Sequence, residues 1–138
     1  MNIKITPEDK VFSQYIRMRA ITRCGGCEYC GTKFYDKAKE DGSMFPAWKQ
    51  LQNSHFKGRG KLSTRHDPDN CAGLCFTCHQ YMGSNPDIHT EFFRVRLGSE
   101  KFEQLTIRAY TTKRMSKQDK KDLVVYYKQK IKELEQQR

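Results

Sequence analysis

Six cysteines in two tight clusters constrain this chain more than any other feature. The first cluster reads Cys24-x2-Cys27-x2-Cys30-Gly31 and the second Cys71-x3-Cys75-x2-Cys78. A two-residue spacer turns the chain back, so both sulfurs of a pair can face one point. Two such pairs separated by some tens of residues make a tetrahedral thiolate set suited to Zn²⁺. The pairs chosen are Cys27 with Cys30 and Cys75 with Cys78. Cys24 competes with Cys30 through a register shift of three; otherwise Cys24 and Cys71 are spare thiols. Four thiolates close the coordination shell, so this zinc is structural and any chemistry must come from elsewhere. A staple is needed. The 138 residues are only 36% hydrophobic and carry a formal net charge of +10, which limits the core that a single domain can build.

The same composition excludes whole classes. No apolar run approaches the ~20 residues of a membrane span. Met1–Lys10 holds charges and Pro7 but lacks the apolar stretch of a secretory leader. The expected compartment is the cytoplasm, where cysteines serve metals more often than disulfides. The positive charge points to nucleic acid. Thr6-Pro7-Glu8-Asp9 opens a helix expected over 7–21. Residues 32–53 are ambiguous, and 54–78 read as a loop-rich hairpin. Asn85-Pro86 opens a second helix carrying Ile88, Phe92, Val95 and Leu97, with Gly98 at its end. Ser99 is the expected cap of a third helix. Ser116 with Asp119 opens a last, Lys-rich one carrying Leu123, Tyr127, Ile131 and Leu134. The fold class is a small α+β domain with few, short strands.

Catalytic candidates begin at Ser54-His55-Phe56. The pattern His55-x14-Asn70-x8-His79 threads through the second cysteine pair, with His79 directly after Cys78. A neutral imidazole is well matched to taking a proton from water, since the free side chain titrates near ~6.5. This spacing resembles the HNH (His-Me finger, ββα-metal) endonucleases. The resemblance implies a zinc-stapled treble clef with a ββα-metal hairpin and flanking helices. It implies His55 as general base and Asn70 as the side chain that braces the hairpin. It implies His79 as ligand of a catalytic Mg²⁺ or Mn²⁺. Many members place Asp before the base; here it is Ser54, a candidate second ligand through its hydroxyl or backbone. Asp67, Asp69, DNA phosphate and water are the alternatives. Lys57, Arg59, Lys61 and Arg65 crowd the loop after His55 as phosphate contacts, with Arg59 or Arg65 neutralising the scissile phosphate. His66 and His89 read as surface residues.

A closer similarity runs over residues 11–105. Phe12–Arg19, Cys27-x2-Cys30-Gly31, Ser54-His55-Phe56-x2-Arg59-Gly60, Arg65-x-Asp67-x2-Asn70, Cys75-x2-Cys78, Gly83-Ser84-Asn85 and Leu97–Lys101 are similar in order and spacing to the NinG (Rap) recombination nucleases of lambdoid phages. That resemblance implies a metal-dependent DNA endonuclease acting on branched recombination intermediates such as Holliday junctions and displacement loops. Its setting would be a host bacterial cytoplasm, with host or phage recombination proteins as partners. One departure is His79, where such proteins usually have Asn. The alternatives are a sequence-specific or nicking HNH endonuclease and, from a different class, a non-catalytic zinc-finger DNA-binding module. Residues 1–110 form the expected nuclease domain. Residues 111–138 form a basic helix, either packed on that domain or used in a homodimer contact.

Overall fold

The computed structural model describes residues 4–137. The expectations that touch residues 1–3 and 138, namely the absence of a leader and the outer limits of the two segments, lie outside the described residues. The first helix, α1 (Pro7–Cys24), is set by its cap. The Thr6 hydroxyl accepts from the Asp9 N–H and the Asp9 carboxylate accepts from the Thr6 N–H, which satisfies two orphan donors of the first turn. The helix runs past the expected end at 21. A left-handed Gly25 (φ 76°), not the apolar pattern, terminates it.

Residues 32–53 resolve into a small hairpin, β1 (Lys37–Ala38) paired antiparallel with β2 (Met44–Phe45), and a 3₁₀ turn at Ala47–Gln50. The central hairpin follows: β3 (Gln52–His55) pairs antiparallel with β4 (Cys71–Leu74). Side chains alternate across a strand. Asn53 and His55 therefore share one face with their partners Gly73 and Cys71, and Ser54 shares the other with Ala72. The first face lies under α1. A Cβ at Gly73 would sit 2.6 Å from the Ala20 Cβ, so glycine is what lets helix and hairpin approach this closely.

Beyond β4 come α2 (Phe76–Ser84), α3 (Pro86–Leu97), α4 (Ser99–Ala109) and α5 (Lys117–Gln136). α2 lies partly inside the stretch read as hairpin. Its cap is the Cys75 sulfur, which accepts from the Cys78 N–H at 3.4 Å, so no Ser, Thr, Asp or Asn announces it. Gly98, not Ser99, caps α4. α5 starts at the Ser116–Asp119 capping box.

Two cores hold these pieces. In one, Val11, Phe12 and Ile16 of α1 pack on Tyr127, Ile131 and Leu134 of α5. In the other, Ala72 and Leu74 pack with Cys27, Met82 and Phe93. The apolar stripe that sequence offered for a homodimer is thus spent against α1 of the same chain, which removes that face from a dimer contact.

Candidate active site

The scaffold comes first. The sulfurs of Cys27, Cys30, Cys75 and Cys78 all lie within 4.8 Å of one another, and Cys30 and Cys75 are 3.9 Å apart. Sulfurs ~2.3 Å from a tetrahedral zinc are separated by about 3.8 Å, so the donor set fits that ion in number, chemistry and spacing. Gly31 adopts φ 77° after the first pair. Cys24 and Cys71 stand outside the cluster, and Cys71 is fully buried.

The chemistry lies on the α1 side of the central hairpin. A cavity of about 640 Å³ is lined by His55, Asn53 and Arg59, by Lys10 and Arg17 of α1, and by His79 of α2. The His55 Nε2 donates to the Arg65 carbonyl at 2.9 Å. A carbonyl can only accept, so Nε2 carries the proton and Nδ1 holds the free lone pair. Burial pushes the His55 pKa down to about 4, against the opposing pull of that hydrogen bond. The imidazole is therefore neutral at pH 7. Burial also lowers the His79 pKa. His79 Nδ1 and Asn53 Oδ1 are both buried without a hydrogen-bond partner.

Asn70 braces the loop that carries the Arg65 carbonyl. It is fully buried. Its Oδ1 accepts from the Lys57 N–H at 2.7 Å, and its Nδ2 donates to the carbonyls of Lys57 at 2.8 Å and Thr64 at 3.0 Å. One side chain therefore closes both ends of the loop after His55.

The structure engages several of the expected site residues elsewhere. Arg65 is not free for phosphate. It is 9% exposed and doubly bonded to Asp9, with a further bond to the Lys4 carbonyl. Burial of Asp9 opposes its ionisation, but hydrogen bonds from Arg65, Thr6 and His66 outweigh this and hold its carboxyl well below the usual range. His66 is no surface residue either; its side chain is 9% exposed and bonded to Asp9 at 2.8 Å. Ser54 is 2% exposed, faces away from the cavity and lies 3.3 Å from His89 Nε2. His89 is correspondingly half-buried, edge-on to Phe56 and Phe93. Asp67 and Asp69 are taken up by Arg108. Lys57 and Lys61 flank the exposed Tyr110 ring, 5.3 and 4.5 Å from its centre, and do not line the cavity.

Asn53, Lys10 and Arg17 are among the cavity residues that the sequence does not single out. Asn53 carried a usable signal, since period two places it on the face of His55. Lys10 and Arg17 carried none, because only the packing of α1 on the hairpin brings them there.

This geometry is a hairpin and helix around a His, Asn, His set, stapled by four cysteines. Residues 27–84 match the HNH endonuclease family. The HNH segment spans the zinc knuckle, the central hairpin and α2, and so contains His55, Asn70 and His79. The match suggests nuclease activity, and the four-cysteine cluster could hold a metal ion. No curated protein and no solved structure matches the chain significantly. Among the described residues no helix is long and apolar enough to cross a membrane.

Proposed function

We propose that the protein is a metal-dependent endonuclease that hydrolyses phosphodiester bonds in DNA, with branched recombination intermediates as substrates. The observation that carries the hydrolytic reading is the His55 imidazole, pinned at Nε2 and free at Nδ1, in one cavity with His79 and Arg59. The branched-substrate reading rests on the sequence likeness to the NinG nucleases.

The donors present fit a hard divalent cation. His79 and Asn53 both line the cavity, and each has one buried polar atom without a hydrogen-bond partner, His79 Nδ1 and Asn53 Oδ1; an imidazole nitrogen and an amide oxygen are ligands that Mg²⁺ or Mn²⁺ accepts while keeping most of its waters. His79 and Asn53 would hold it. Such a cation supplies electrostatic stabilisation of the charge that builds on the phosphate and the leaving oxygen. Few protein ligands make for weak binding without DNA.

The rest is done by this chain's own residues. His55 takes a proton from water at Nδ1, and the water oxygen attacks phosphorus as the opposite P–O bond breaks. The Arg65 carbonyl holds the Nε2–H, so the ring cannot present the wrong nitrogen. Asn70 fixes that carbonyl by fixing the loop. Arg59 balances phosphate charge.

The test is incubation with Mg²⁺ or Mn²⁺ and a panel of duplex, flap, displacement-loop and four-way-junction DNA. Cleavage of the branched forms over duplex is expected, with a loss of ~10²–10⁴-fold in His55→Ala. Cutting of duplex at one fixed sequence would favour a sequence-specific or nicking enzyme. Binding with no cleavage in either metal would make the protein a zinc-stapled DNA-binding module.

A further inference from the structure

We propose that Arg17, on α1 outside the HNH segment, binds a phosphodiester group of the DNA inside the catalytic cavity; the inference rests on the nuclease reading above. The sequence reading gave a phosphate-neutralising role to Arg59 or Arg65. Arg65 is consumed by Asp9, so that role falls to the remaining cations of the cavity.

The charge balance of the cavity asks for an anion. Lys10, Arg17 and Arg59 line it, and its one lining carboxylate, Asp9, is already engaged by Arg65 and His66. Among the described residues Arg17 has no carboxylate partner. It is nonetheless half-buried, and withdrawal from water lowers its basicity. A guanidinium partly desolvated and unpaired is costly. An incoming phosphate removes that cost.

The group is also aimed. Nε donates to the Ser13 carbonyl at 3.2 Å, and the guanidinium carbon lies 4.8 Å from the centre of the Trp48 ring. One edge and one face are thereby fixed, and the two terminal nitrogens make no hydrogen bond to the described protein. A fixed fork with two free N–H₂ ends is the geometry that holds a phosphate in a bidentate grip. The root of the side chain is at the right place. The Arg17 Cα would lie 3.6 Å from a Cβ at Gly73, and Gly73 pairs with Asn53, two residues from His55 on the same face.

The test separates binding from cutting by using His55→Ala protein throughout. Anisotropy of a short fluorescent duplex is titrated at several salt concentrations for H55A and for H55A with Arg17→Gln. The expected result is an affinity loss of ~10- to 100-fold, the scale of hydrogen bonds to a charged group. The slope of log affinity against log salt should become shallower by ~1. Arg17→Lys should restore the slope but not the full affinity, since an ammonium lacks the fork. Unchanged affinity and slope in folded Arg17→Gln protein would overturn the proposal. A variant that does not fold is bypassed by following the Arg17 Nε–H nuclear magnetic resonance signal of H55A protein. That signal should shift on adding duplex, and one that stays put refutes the assignment. Failure of wild-type protein to cut any DNA would sink the nuclease reading while leaving this binding result to stand or fall separately.

Discussion

Asn70 is the side chain on which the catalytic geometry turns, and replacing it by Asp isolates the reason. The amide makes three hydrogen bonds, at 2.7, 2.8 and 3.0 Å, and is fully buried. Only the bond to the Thr64 carbonyl is wholly out of water; the two to Lys57 are partly accessible. Stranding the buried carbonyl costs about 2 kcal/mol, and each accessible bond about 0.5–1 kcal/mol. Asn70→Ala should therefore lose about 3–4 kcal/mol, which at ~4 °C per kcal/mol lowers the Tm by roughly 12–16 °C. Asp has the same shape but no donor. Its carboxylate would face the carbonyls of Lys57 and Thr64, so Asn70→Asp should be at least as damaging as Ala. The loop residue after Thr64 supplies the carbonyl that fixes His55. Cleavage measured below the Tm should accordingly fall in kcat, by ~10–10²-fold, less than the ~10²–10⁴ of a lost base. Circular dichroism melts and single-turnover cleavage give both numbers. An Asn70→Asp protein that melts and cuts like wild type would refute the bracing role.

Four further outcomes are expected. The acid limb of kcat/KM should lie well below the free-imidazole value of ~6.5, toward the His55 value of about 4; a limb at 6.5 or above would contradict the buried, neutral ring. The same depression means the unfolded chain binds the proton more tightly. Stability contributed by neutral His55 is thus present above ~6.5 and lost as pH falls toward 4, which acid titration of the Tm reads. Chelation of the Cys27–Cys30–Cys75–Cys78 ion should release one Zn²⁺ per chain and melt α2 with the knuckle, since Cys75 also caps that helix; a chelated protein with unchanged circular dichroism would contradict the scaffold role. Asp9→Asn should destabilise by about 3–5 kcal/mol, the cost of leaving Arg65 buried and unpaired. If Arg65 instead served DNA, that change would leave the Tm intact.

Local chemistry in the sequence determined a great deal. The C-x2-C spacing, the N-cap at Thr6, the capping box at Ser116, the glycines at 31 and 98 and the His55, Asn70, His79 pattern each act within a few residues or one hairpin, so each is legible along the chain. What residues distant in sequence do to one another is not. Arg65 looks like a phosphate ligand until Asp9, 56 residues earlier, takes its charge. His66 looks exposed until the same carboxylate buries it, and His89 until Ser54 and the phenylalanines enclose it. The stripe of α5 reads equally as a dimer face or an internal one until Phe12 and Ile16 cover it. Desolvation and pairing depend on which helix lands on which hairpin face, and that choice belongs to the whole fold. Tertiary structure alone therefore decides which of the chain's many cations remain free to meet a phosphate.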